Sequence, residues 1–119
     1  MINVVKEGEK YLVADVTITE ANLCNSDQFK AEMVNLLDKH GKIVVLDLQE
    51  LKYVDSAFLG ALVSSLKYAM TKQLDIILVD LRTDIKDLIK LIRLDKVFKI
   101  YNYPEDALAA INKSYAEVR

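Results

Sequence analysis

Apolar residues recur along this chain with two different spacings. Over Tyr11–Ile18, Leu12, Ala14, Val16 and Ile18 alternate with Val13, Asp15 and Thr17. That period of two predicts a strand with one face more buried. Val4–Val5 predicts a partner strand, joined to it through a turn at Lys6–Lys10. Phe29, Met33, Leu36, Leu37 and His40 then repeat at helical spacing. Asn25-Ser26-Asp27-Gln28 reads as the capping box that starts this helix, and Gly41 as its stop. Ile43–Leu48 is a nearly continuous apolar run, as expected of a strand covered on both faces.

The same alternation of strand and helix signals continues. A helix is predicted from Ser56 to Lys72, with Leu59, Leu62, Val63, Leu66 and Met70 inward, and Ile76–Val79 is a second central strand. Thr83 or Asp84 caps a third helix carrying Ile85, Leu88, Ile89 and Ile92 on its inner face. Lys99–Tyr101 is a short edge strand, and Pro104 suits the first turn of a last helix, where its missing N–H is not needed. Strands separated by helices of this length imply right-handed crossovers and parallel neighbours. The first two strands form an antiparallel hairpin. The expected architecture is therefore one α/β domain over residues 1–119, with a mixed sheet of four or five strands.

Parallel strands gather the loops after their C-termini on one edge. Thr19–Ser26, Gln49–Ser56 and Leu81–Asp84 share that edge, with Ser56 at its centre. An apolar strand, a short linker and Asp55-Ser56 precede the second helix, so Ser56 is expected to be exposed at a helix N-terminus. Backbone N–H groups point outward there and an anion is tolerated. Position alone favours a plainer assignment: Ser56 as an N-cap, with Asp55 a turn residue or an alternative cap.

Residues Ile43–Gly60, with Asp75–Leu81 and Leu91–Leu108, resemble the STAS family, the domain of bacterial anti-sigma factor antagonists. The family usually carries a strand followed by Asp-Ser-(Ser/Thr/Ala)-Gly-Leu-Gly. Here that motif reads Asp55-Ser56-Ala57-Phe58-Leu59-Gly60. The resemblance implies helices mainly on one face of the sheet. It also implies that Ser56 is the residue a partner kinase phosphorylates, and it tips the balance from plain cap to acceptor. The partner would be an anti-sigma factor with serine-kinase activity, bound by the unphosphorylated form; phosphorylation would end binding and a phosphatase would restore it. ATP and metal would belong to the kinase, so no cofactor and no enzymatic activity are expected in this chain. The implied setting is transcription regulation by a bacterial, cytoplasmic phosphoprotein.

The resemblance and the edge together nominate Asp55, Ser56, Ala57, Phe58 and Leu59 for partner binding, with Asn25, Ser26 and Thr83 on neighbouring loops. Two positions depart from the family pattern. Ala57 leaves Ser56 as the only hydroxyl of the motif. Phe58 replaces the first Gly and sets an aromatic ring in the first turn, either packed inward against Leu62 at i+4 or standing outward. An outward Phe58 would support a different reading, a STAS scaffold or assembly subunit without phosphorylation. The Thr17–Asn25 loop also lacks the Gly-Glu-Leu-Asp type of sequence common there in the family.

Composition removes several function classes. The 119 residues are 52% hydrophobic and 29% charged, with net charge −2, so the basic footprint of a nucleic-acid binder is missing. Met1–Lys10 has no apolar signal-peptide core. The longest apolar stretch, Ala57–Met70, is broken by Ser64, Ser65 and Lys67 and falls short of the ~20 residues of a membrane span. One His and one Cys are too few for a usual structural zinc site. Cys24 and His40 lie near opposite ends of one predicted helix and cannot form a nucleophile pair. A lone Cys fits a reducing compartment. There is no glycine-rich phosphate loop, and a receiver-type acidic pair is missing, since Val13–Ile18 offers only Asp15.

Overall fold

In the computed structural model the chain alternates strands and helices around a five-stranded sheet. Backbone is described for residues 1–118 and side chains for residues 1–114. The elements are β1 (Ile2–Glu7), β2 (Tyr11–Val16), β3 (Glu20–Ala21), α1 (Leu23–His40), β4 (Ile43–Asp47), β5 (Tyr53–Val54), α2 (Ser56–Thr71), β6 (Ile76–Val79), α3 (Thr83–Leu91), a 3-10 turn (Leu94–Lys96), β7 (Lys99–Tyr101) and α4 (Pro104–Val118). The main sheet has the order β1-β2-β4-β6-β7. β1 pairs antiparallel with β2, with a register shift between Val4 and Lys6. The other three pairings are parallel.

Strand periodicity sorts the core into two layers. Leu12, Ala14, Val44, Leu46, Ile76 and Leu78 face one side and pack with Phe29, Met33 and Leu37 of α1, Phe58, Leu62 and Leu66 of α2, and Ile85 and Ile89 of α3. Val13, Val45, Ile77 and Val79 face the other side, under Ala107 and Ile111 of α4. Three helices thus lie on one face and one on the other, so helices gather mainly on one side. β4 and β6 are the continuous apolar runs because both of their faces are covered.

Several boundaries differ from the sequence expectation. β1 is longer than Val4–Val5, and β2 stops at Val16 rather than Ile18. The chain then turns to form β3, which pairs parallel with β5 in a two-stranded ribbon that sequence patterning does not reveal. α1 begins one turn earlier than the Asn25–Gln28 box. Asn22 Oδ1 accepts from Cys24 N, and Asn25 Oδ1 accepts from Asn22 N, so the reciprocal cap is Asn22 with Asn25. Gly41 ends α1 as expected, at φ 61° in the left-handed region, its N–H donating to Leu37 O.

The inward face of α2 is also rotated. Phe58, Leu59, Leu62, Ser65, Leu66 and Ala69 are buried, whereas Met70 is 63% exposed and Val63 only half-buried. Ser65 and Ala69 are small and fully buried, and the Ser65 hydroxyl donates to Ala61 O at 2.8 Å, which satisfies it inside the helix. Neither Thr83 nor Asp84 caps α3. The cap position is Arg82, without a side-chain cap bond, and Asp84 instead accepts from Ile85 N. Ile92 is exposed and Leu88 half-buried, so only Ile85 and Ile89 of the expected α3 face reach the interior.

Phe58 resolves the inward–outward alternative. Its ring is fully buried, and its centroid lies 4.6 Å from that of Phe29 on α1, tilted by 49°. The contact crosses between helices rather than resting on Leu62 alone. Tyr68 Oη donating to Asp38 Oδ1 at 2.5 Å, and Lys72 Nζ at 3.1 Å from the same oxygen, close the far end of the α1–α2 pair. Phe58→Ala should cost about 3–5 kcal/mol, while Phe58→Leu, which nearly keeps volume, should cost about 1.5 kcal/mol or less. Urea unfolding of both variants measures this. A cost for Phe58→Ala below that of Phe58→Leu would contradict a core role.

Candidate functional site

Asp55 is the residue around which the sheet edge is organised. It ends the β5 segment with extended backbone, and its own N–H donates to Ala21 O at 3.0 Å, extending the β3–β5 ribbon. Its carboxylate then makes two bonds. Oδ1 accepts from Phe58 N at 2.9 Å, which caps α2, and Oδ2 accepts from Leu23 N at 2.9 Å, in the first turn of α1. One side chain therefore serves two helix N-termini whose orphan N–H groups need acceptors. Asp55, and not Ser56, is the N-cap.

Ser56 is the first residue of α2, and it is exposed. The first amides of a helix have no intrahelical acceptor and carry partial positive charge, so an anion on the Ser56 hydroxyl would meet N–H donors. Asp55 beside it is already spent on two amides. Ala57 is half-buried.

The neighbouring loops are stitched to this centre. Lys52 N and Tyr53 N both donate to Thr19 O, and Arg82 Nε donates to Gln49 O at 3.0 Å. The three loops expected on one edge are thus physically joined. The nominated residues divide sharply. Ser56 and Thr83 are exposed, and Asp55, Ala57 and Asn25 are half-buried. Phe58, Leu59 and Ser26 are largely interior, at 0%, 8% and 5% exposure, and of the three only Leu59 lines the groove that begins at Ser56. The Asn25 amide is consumed locally, accepting from Asn22 N and donating to Glu20 O. The Ser26 hydroxyl donates to Leu23 O.

Two exposed apolar residues at this edge escaped the sequence reading. Leu23 is 72% exposed beside Asp55, and Tyr53 is 54% exposed two residues before it. Leu23 follows the Asn22 cap and lies outside the Phe29, Met33, Leu37 stripe that α1 buries. Cys24 and His40 stand at the two ends of α1, roughly 24 Å apart at 1.5 Å per residue. Among the described residues no cluster of three His, Cys, Asp or Glu side chains could hold a metal ion, and no helix is long and apolar enough to cross a membrane.

An acidic group lies along the same strand ends. Burial, with the Asp80 carboxyl beside it, pushes the Asp47 carboxyl up to about 6, although Gln49 N donates to it. Burial, with Asp47 and Glu50 nearby, also raises Asp15. Asp15 and Asp47 are direct neighbours in the β2–β4 register.

A carboxyl whose pKa is raised on folding keeps its proton where the unfolded chain has lost it. Its stabilising contribution is complete below pH ~4 and is lost as pH rises through about 6. Asp47→Asn should therefore stabilise the protein at pH 7 by on the order of 1 kcal/mol, allowing for solvent screening, and do nothing at pH 4. Denaturant midpoints at the two pH values measure this, and an equal effect at both would refute it. For Asp55→Ala we expect a loss of about 2 kcal/mol, because two caps go at once. Asp55→Asn should cost less, since one carbonyl oxygen remains for one of the two amides. Hydrogen exchange at Leu23 and Phe58 should rise together in Asp55→Ala, and a rise at Phe58 alone would rule out the shared cap.

The sequence matches the STAS domain family over residues 19–107. A Bordetella bronchiseptica protein provisionally named anti-sigma factor antagonist BtrV is 30% identical over 89 residues, which are 75% of this chain and 77% of that protein. Among solved structures, the anti-sigma-factor antagonist (STAS) domain protein of Planctomyces limnophilus superposes with a TM-score of 0.80 at 18% identity, covering 93% of this chain and 97% of that one. The Bacillus cell fate determinant SpoIIAA in its phosphorylated form does so with a TM-score of 0.67 at 12% identity, covering 93% and 99%. The family match spans most of the chain, over residues 19–107, and its relatives include a named anti-sigma factor antagonist: the protein belongs to the STAS domain family.

Proposed function

We propose that this protein is an anti-sigma factor antagonist that docks through the Ser56 edge on an anti-sigma factor with serine-kinase activity and is released when Ser56 is phosphorylated. A phosphatase resets it. The protein then works as a regulatory binding module in bacterial, cytoplasmic transcription control, with ATP and its metal bound by the kinase.

The observation that carries this reading is the exposed Ser56 hydroxyl at the first position of α2, in the motif place where the family carries its acceptor. Three features support it. Asp55 is engaged with Phe58 N and Leu23 N, so it leaves the hydroxyl free for an incoming phosphoryl group. Leu23 and Tyr53 give the edge apolar contact area around a small polar centre. A phosphate of about −1.5 to −2 charges here sits on outward amides, so it alters the docking face far more than the fold. An uncompensated charge trapped in a packed interface costs several kcal/mol, enough for a switch. The scaffold reading draws on the Phe58 departure, and the buried ring removes its outward form, in which Phe58 itself would anchor a partner.

Binding of the wild-type protein, Ser56→Ala and Ser56→Asp to the purified anti-sigma factor, by calorimetry, tests the reading. Ser56→Ala should bind like wild type, and Ser56→Asp at least about tenfold more weakly, a difference of about 1.4 kcal/mol. Incubation with the kinase and ATP should add one phosphate to the wild type and none to Ser56→Ala. Equal binding by Ser56→Asp would sink the switch.

A further inference from the structure

A groove of about 490 Å³ runs along α2 and begins at Ser56. Leu59, Gly60, Val63, Ser64 and Lys67 of α2 form one side, and Ile92 and Leu94 form the other. Ile92 and Leu94 both reach it because Arg93 between them adopts φ 64°, a left-handed turn that reverses the chain after α3. Leu91, next to this wall, is 79% exposed.

Gly60 is the residue that the fold does not explain. It lies inside a helix, where glycine is a poor choice. A Cβ built on it would meet nothing within 4 Å, and its φ is not positive. Neither backbone conformation nor packing within this chain requires a glycine there. What its missing side chain provides is room on the groove floor for something to approach α2 closely.

Charge says what that is. Lys67 lines the groove, and Lys90, Arg93 and Lys96 are exposed on the segment that carries Ile92 and Leu94. Among the described residues none of these four is in an ion pair, and Asp95 is the only acidic residue between Lys90 and Lys96. This is a local excess of positive charge on a chain whose net charge is −2. We infer that the groove takes an amphipathic helix of a partner protein, apolar on the face that enters and acidic along its flanks. Helix-in-groove binding uses apolar anchors at i, i+3, i+4 and i+7, and the cations meet the flanking carboxylates. That the helix belongs to an anti-sigma factor rests on the function proposed above, whereas the groove's preference for an acidic amphipathic helix does not. A phosphate on Ser56 would add negative charge at the end of the groove, against the acidic flanks.

The probe is a synthetic helical peptide of about 15 residues with Leu and Ile at those anchor spacings and Glu on its flanks, beside a counterpart with every Glu replaced by Lys. Each is titrated into the ¹⁵N-labelled protein, and no partner is needed, so failure of the anti-sigma reading leaves the result readable. We expect the Glu peptide to move the amides of Gly60, Val63, Ser64, Lys67 and Ile92. Gly60→Gln should weaken it at least about tenfold while raising the melting temperature, since a better helix former replaces glycine. Lys67→Glu should weaken the Glu peptide and strengthen the Lys peptide. The inference is overturned if the Glu peptide leaves those amides unmoved at millimolar concentration, if the Lys peptide binds the wild type as well, or if Gly60→Gln binds undiminished. It is equally overturned if ultracentrifugation shows a dimer that Gly60→Gln abolishes, because the occupant would then be a second copy of this chain.

Discussion

Two helix N-termini share one carboxylate, and the rest of the edge depends on that economy. α1 and α2 start on neighbouring loops, and each brings N–H groups that no helical carbonyl can satisfy. Asp55 answers one from each, while its own N–H joins the β3–β5 ribbon. The starting points of both helices are thereby fixed relative to each other and to the sheet. Ser56 inherits its position from this arrangement. It is held at the mouth of α2 by its neighbour's bonds rather than by any bond of its own that would bury it.

Just inside that mouth, the Phe29–Phe58 contact makes the same junction rigid from within. The family's usual glycine leaves nothing at this position to pack. Here a ring fills the space between α1 and α2 in the first turn, directly beneath Ser56. Aromatic pairs at this separation are favourable beyond the area they bury. The ring strengthens the floor under the site and, being fully buried, adds nothing to its outer surface.

What was legible in the sequence follows from which signals are local. β4, β6 and β7 were found with nearly correct limits because unbroken apolar runs and short edge segments have few alternative readings. Gly41 as a helix stop and Pro104 at a helix start were equally local. The inner face of α2 was misread because hydrophobicity was taken as burial. Met70 is apolar and exposed, whereas Ser65 and Ala69 are small and fully buried. The ribbon of β3 and β5 has two residues per strand, too few to show a period. The double role of Asp55 joins positions 32 apart in sequence, and no spacing rule reaches that far. Place in the motif or on a neighbouring loop carries no burial signal, so the nominated partner residues include interior Phe58, Leu59 and Ser26 and omit exposed Leu23 and Tyr53.

The register shift between Val4 and Lys6 has a bearing on how the molecule behaves in company. β1 is an outer strand of the sheet, mostly exposed, and an uninterrupted outer strand offers its free N–H and C=O groups to any passing chain. The shift breaks that row at Val5, and Lys6 adds a charge beside the break. At the opposite border, β7 is only three residues long. Neither border can readily template a further strand. The sheet is thereby kept from joining edge to edge with the sheets of its own copies.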